Sequence, residues 1–299
     1  MRKKFVSFIA LLSLFALAGC GENSSSLVTS ISSESTSTVS TSTNEENSSV
    51  AEGFPDNPNL DESAREYYEI IDFSIDDVST LKTDLGALIN DHYDVGYDGL
   101  KKVFESSDVK PDGTVWDIYS DTSYNFSEGY QNYKVEGDSF NREHTVPQSW
   151  FDKKSPMRSD AFHVYPADGK VNGLRSNYEF GNIANPDSAK YTSTNGCMLG
   201  TDYRGTTVFE VCDEYKGDIA RSYFYMATCY EDVAGNWGTS FSNSNYTKLS
   251  DYCLNVMLEW ATNDPVSQKE IDRNDAIYEY QGNRNPYIDF PGLDLYIFS

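Results

Sequence analysis

Three side chains within a short span, Glu143, His144 and Asn172, are of the types that together can cut a phosphodiester bond. The Glu143 carboxylate and the Asn172 amide oxygen are hard donors of the kind Mg²⁺ takes. That ion keeps several waters, so two protein ligands suffice when a phosphate supplies another. A neutral imidazole, ordinarily near a pKa of about 6.5, takes a proton from water around neutral pH. The water then attacks phosphorus, while the cation offsets charge on the transition state and the departing oxygen. With a single protein anion the metal site stays net positive and attracts a phosphodiester. Water as nucleophile makes a 2′-hydroxyl unnecessary, so DNA and RNA are both open to this chemistry.

Glu143 and His144 are adjacent in Asn141-Arg142-Glu143-His144-Thr145-Val146-Pro147, and neighbours on a regular strand face opposite sides. Both serve one site only at a strand end or bulge, and Pro147, which lacks a ladder donor, favours a strand end. Downstream, Asp160-Ala161-Phe162-His163-Val164-Tyr165-Pro166 predicts a second short strand over 163–165 and a turn over 166–169. A helix then opens near Asp168, which can cap it. In this order of strand, loop, strand and helix, Asn172 lies on the first helical turns and faces Glu143 and His144. His163 either supports the site from the second strand or packs there. Arg175 and Asn177 read as structural or phosphate-facing.

The elements around this unit follow from apolar spacing. Helices are predicted over 62–71, 78–92 (Leu81, Leu85, Leu88 and Ile89), 219–230, 248–262 and 267–279, with His92 at a helix end. Val115, Ile118 and Tyr119 predict a strand over 113–120. Arg221, in an otherwise apolar helix face, reads as half of a buried ion pair, and 281–287 as a turn packed on the domain. Strands mid-chain with helices on both sides give an α+β class and a single domain.

The N-terminus carries Arg2, Lys3 and Lys4, then an apolar run over 5–18 too short for a membrane span. It ends in Leu17-Ala18-Gly19-Cys20, which resembles the lipobox of bacterial lipoproteins. A signal peptide over 1–19 and a lipidated Cys20 at the cell surface are therefore expected. The Ser/Thr-rich stretch over 20–60 reads as a disordered tether with a reach of roughly 30 Å, and 61–299 as the catalytic domain.

The chain has a formal charge of −24, falling to −27 once the three basic residues of the signal are removed. Such a charge repels nucleic acid at long range. Residues 141–175 are the exception, where Arg142, Lys153, Lys154, Arg158, Lys170 and Arg175 outnumber Glu143, Asp152, Asp160 and Asp168. Lys153, Lys154, Arg158 and Arg175 are the candidate phosphate contacts. Contacts of this kind carry no base information and imply little sequence preference. Cys197, Cys212, Cys229 and Cys253 could form two bridges in three connectivities, and without a Cys-x-x-Cys pair they do not resemble a zinc site. Cys253 also fits an apolar helical stripe with Leu249, Leu254, Met257 and Leu258.

Four ordered motifs carry a resemblance: residues 141–151, residues 160–178, Gly217-Asp218-Ile219-Ala220-Arg221 with Tyr225-Met226, and Gln281-Gly282-Asn283-Arg284-Asn285-Pro286 with Tyr287. Together they resemble bacterial endonuclease I, a family of secreted, metal-dependent nucleases without sequence specificity, over most of 65–292. The resemblance implies a ββα-metal (His-Me) finger embedded in a mostly helical domain. It implies Glu143 and Asn172 on one Mg²⁺, with Mn²⁺ or Ca²⁺ able to substitute, His144 as general base, 5′-phosphate products and no obligate protein partner. The family's transition-state arginine lies in a loop that does not align here, where Lys153, Lys154 and Arg158 stand nearby. Two rival readings are an inactive surface-binding lipoprotein, and a zinc hydrolase using His144, His163 and a carboxylate.

Overall fold

The computed structural model describes residues 57–299, so the predicted signal, the lipidated Cys20 and almost all of the tether lie outside the described residues. The chain enters through α1 (Glu62–Tyr67), whose first turn is capped by the Asp61 carboxylate accepting from the Ala64 amide at 2.8 Å. The expected helix over 62–71 stops at Tyr67. Tyr68 turns inward instead, its hydroxyl donating to Asp289 at 2.9 Å, and residues 69–71 continue as turns. Helix α2 (Val78–Asn90) buries Leu81, Leu85 and Ile89 as their spacing predicts, and it ends two residues before His92. Helix α3 (Leu100–Ser107) follows.

The strand expected over 113–120 does not form. Val115 makes a single bridge to Val109, and the neighbouring backbone donors scatter, Trp116 to the Asp108 carbonyl, Ile118 to the Pro166 carbonyl and Tyr119 to the Asp117 carboxylate at 2.8 Å. A strand cannot run where its ladder donors are used this way.

Strands β1 (Phe140–His144) and β2 (Val164–Asp168) pair antiparallel, with Glu143 opposite Tyr165 and His144 opposite Val164. Helix α4 (Gly169–Arg175) starts directly after β2, capped by the Asp168 carboxylate accepting from the Val171 amide at 2.9 Å. The segment expected as strand, loop, strand and helix therefore has that order.

A second sheet, unforeseen in the sequence, is built from very short strands: β3 (Glu179–Phe180), β4 (Tyr191–Thr192), β5 (Met198–Thr201) and β6 (Thr207–Glu210). Its spatial order is β3-β6-β5-β4, parallel only between β3 and β6.

Helix α5 (Lys216–Cys229) runs through the centre, buried from Gly217 to Cys229, and α6 (Glu231–Ala234) follows it. Helices α7 (Asp251–Asn263), α8 (Gln268–Gln281), α9 (Pro286–Asp289) and α10 (Leu293–Phe298) complete the shell. The α2 and α5 axes approach closely at Gly86, where a Cβ would lie 2.7 Å from the Thr228 carbonyl oxygen. Arg221 on α5 does form a buried ion pair, with Glu270 of α8. The four cysteines of this domain are free thiols, and Cys253 is buried on the apolar side of α7.

Candidate active site

Placing His144 on the last residue of β1 resolves the adjacency problem, because the strand ends there and the chain turns at 145–147. Glu143, His144 and Asn172 all line one cleft of about 400 Å³, together with Arg142, Gln148, Lys153 and Gly173.

The Glu143 carboxylate is gripped from behind. Its Oε1 accepts from Arg175 Nη1 at 2.6 Å and from the Tyr119 hydroxyl at 3.0 Å. The other oxygen, Oε2, has no partner among the described residues, yet it is not sealed from solvent. Burial pushes the carboxyl up to about 7, with Arg175 and Tyr119 pulling the other way.

On α4 the Asn172 side chain is fixed by its amide nitrogen, which donates to the Arg142 carbonyl at 3.1 Å. That orientation leaves Oδ1 as the outward acceptor, one strand residue from Glu143.

His144 is fixed the same way. Its Nε2 lies 3.0 Å from the Arg158 carbonyl, which can only accept, so Nε2 carries the proton and Nδ1 is a bare acceptor. Burial first, and then the neighbouring His163, lower its pKa to about 3, so the ring is neutral at any ordinary pH. His163 packs edge-on to His144 with centroids 5.7 Å apart. It is fully buried, its Nε2 2.6 Å from the Met157 carbonyl and its Nδ1 without a partner. It therefore packs beneath His144 and does not face the cleft.

The candidate phosphate contacts divide. Lys153 lines the cleft, presented by left-handed backbone at Asp152 and Lys153 (φ 58° and 57°). Lys154 lies outside in solvent, 3.4 Å from Asp152. Arg158 lends its carbonyl to His144 and lays its guanidinium over Tyr97, 3.9 Å from the ring centre, with Nε donating to Gln148. Of the two roles expected for Arg175, structural or phosphate-facing, the side chain takes the structural one. Its side chain is 1% exposed and points inward, donating to Glu143 and to the carbonyls of His144 and Thr145. Burial forces that geometry, since a guanidinium inside the protein must find acceptors there.

Sequence reasoning missed Tyr119, which comes from a loop with no motif, and Tyr97, whose ring lies nearly parallel to His144. For Arg175 the signal was its spacing, one helical turn past Asn172 and so on the same face of α4.

Oε2 of Glu143 and Oδ1 of Asn172 suit a hard, oxygen-seeking divalent ion. The zinc set of His144, His163 and a carboxylate is not assembled, because both imidazoles give Nε2 to backbone carbonyls and His163 is sealed away. Among the described residues no cluster of three or more His, Cys, Asp or Glu side chains could hold a metal.

The chain is similar to known proteins over most of its length. A family model described as Endonuclease I matches residues 77–292, which include every cleft residue named above. An extracellular ribonuclease of Bacillus amyloliquefaciens is 34% identical over 220 residues, covering 71% of this chain and 72% of that protein. An extracellular ribonuclease of Bacillus subtilis (strain 168) is 33% identical over 231 residues, covering 75% of each. An extracellular deoxyribonuclease of Aeromonas hydrophila is 26% identical over 226 residues, covering 70% of this chain and 86% of its own. With the family match spanning β1, β2, α4 and most of the helical shell, the chain belongs to the endonuclease I family.

Proposed function

We propose that this protein is an extracellular endonuclease that hydrolyses phosphodiester bonds of DNA and RNA with little regard for base sequence and leaves 5′-phosphate ends. The observation that carries this reading is the trio of unused acceptors, Glu143 Oε2, Asn172 Oδ1 and His144 Nδ1, around one cleft. Glu143 and Asn172 would hold the ion, Mg²⁺ by preference with Mn²⁺ or Ca²⁺ as substitutes, and β1, β2 and α4 would then act as a ββα-metal finger.

When bound, the divalent ion draws charge from the phosphate and stabilises the departing oxygen. Arg175 and Tyr119 hold Oε1 so that Oε2 stays aimed outward. His144, its tautomer set by the Arg158 carbonyl, takes the proton of the attacking water at Nδ1. Lys153 steadies a phosphate at the cleft wall. Relatives named as ribonuclease and as deoxyribonuclease support action on both substrates. At the other end of the chain, Cys20 carries the lipid that keeps the enzyme at the cell surface.

The test is nicking of plasmid DNA and cleavage of single-stranded RNA by the purified chain. Both should stop with EDTA and return with Mg²⁺, and His144→Ala should slow both by about 10²- to 10⁴-fold. Cleavage that persists in EDTA, or near-normal turnover by His144→Ala, overturns the reading.

A further inference from the structure

Beside the cleft, cations and rings alternate in a ladder. Lys101 Nζ lies 4.7 Å from the centre of the Tyr130 ring. The Arg142 guanidinium lies 4.3 Å from Tyr130 and 4.1 Å from Tyr97. Arg158 also lies over Tyr97, and Tyr97 in turn is stacked 6.0 Å from His144 with the rings 18° apart. The rungs come from three separate parts of the chain: residues 97–101, Tyr130, and the site segment 142–158.

Two features mark this as a built surface. Tyr130 holds a left-handed backbone (φ 63°), a conformation that a side chain with a Cβ resists, and its ring thereby reaches both Lys101 and Arg142. Arg142 is 8% exposed, its Nε is buried without a partner, and among the described residues its one carboxylate partner, 3.3 Å away, is the highly exposed Asp98. An ion pair with so exposed a partner is weak and readily exchanged for another anion.

We propose that this ladder is the phosphate track of the enzyme, along which the strand leaving the cleft lays its backbone, from Tyr97 and Arg142 out to Lys101. The inference rests on the nuclease reading above and extends it to the substrate beyond the scissile bond. The rings of Tyr97 and Tyr130 are already covered by cations, so they hold guanidinium and ammonium groups in place and are not free to stack on bases. Recognition by this surface is therefore of phosphate alone, indifferent to sequence and strongly salt-dependent. It also gives a chain of −24 a local grip on a polyanion.

The test compares wild type, Lys101→Gln, Tyr130→Gly and Lys102→Gln by the slope of log(kcat/KM) against log[salt] on duplex DNA and on single-stranded RNA. The same slopes are read from oligonucleotide binding in the His144→Ala background. Lys101→Gln should flatten the slope by about 0.9 on duplex and about 0.7 on single strands, one phosphate contact's share, and raise KM several-fold. Tyr130→Gly, which relieves the left-handed backbone while deleting the ring, should flatten it similarly. Lys102 is the adjacent lysine on α3 but sits over Tyr280 at 5.9 Å, and Lys102→Gln should leave the slope unchanged.

Equal flattening by Lys101→Gln and Lys102→Gln would reduce the effect to diffuse charge and overturn the track. So would an effect confined to one nucleic acid, or no flattening at all. Ladder-dependent binding without any cleavage by the wild type would sink the nuclease reading and leave the track standing.

Discussion

Two buried arginine–glutamate pairs, Arg221 with Glu270 in the helical shell and Arg175 with Glu143 at the cleft, are nearly identical in burial, both 1–2% exposed. They differ in how completely the carboxylate is used. Glu270 is saturated: Arg221 Nε reaches Oε1 at 2.6 Å, Nη2 reaches Oε2 at 2.8 Å, and the Ser267 amide adds a third donor at the head of α8. Glu143 receives both of its donors on one oxygen. A saturated pair fastens two helices, whereas a half-used one fastens its residue and still presents an acceptor. The same chemistry thus serves as a rivet in one region and leaves an unused acceptor at the cleft in the other.

The contrast breaks first in activity. Glu143→Gln should cut cleavage by more than the roughly 10- to 100-fold that loss of a merely supporting partner costs in metal affinity, with metal binding by calorimetry weakened in parallel. Both Glu143→Gln and Glu270→Gln should lower the melting temperature, since each leaves a buried guanidinium without its counter-charge, but Glu270→Gln should leave cleavage near normal. Equal activity losses in the two variants would erase the distinction.

Stability sharpens it next. Arg175→Met and Arg221→Met each strand a buried carboxylate, and each should cost about 3–5 kcal/mol in denaturant unfolding. Of the two, Arg175→Met should also release the carbonyls of His144 and Thr145 and lose activity in whatever fraction remains folded.

The smallest expected effect is a pH dependence peculiar to the cleft region. Burial lowers His163 to about 4, so its contribution is fully present above the unfolded value near 6.5 and is lost as pH falls through 4. Relative to His163→Asn, which keeps a donor for the Met157 carbonyl but does not titrate, the wild type should lose on the order of 3 kcal/mol across that window. Parallel stability profiles for the two proteins would contradict a neutral buried imidazole.

Much of this was legible in the sequence because local signals and tertiary demands agreed. Leu81, Leu85 and Ile89 gave α2, Asp168 gave the start of α4, and Pro147 gave the strand end that lets Glu143 and His144 share a cleft. Where long-range contacts decide, the local pattern misled. The 113–120 stretch alternates like a strand, but its amides bond to several different segments, Val115 to Tyr124, Trp116 to Asp108 and Ile118 to Pro166, so no single partner strand forms a ladder. Strands β3 and β4, of two residues each, are too short for any periodicity to show. Arg175 read as structural or phosphate-facing, and only the packing of α4 on β1, which turns it inward, decides for the structural role. Tyr119 reaches Glu143 across a loop, which no spacing rule encodes.

The fixing of His144 by the carbonyl of Arg158, and of Glu143 by an arginine 32 positions further along, has a bearing on how such a protein can be made safely. An unfolded chain carries every one of these groups but none of their neighbours, so it is inert until it folds. The arrangement exists only once folding brings residues 143, 158 and 175 together.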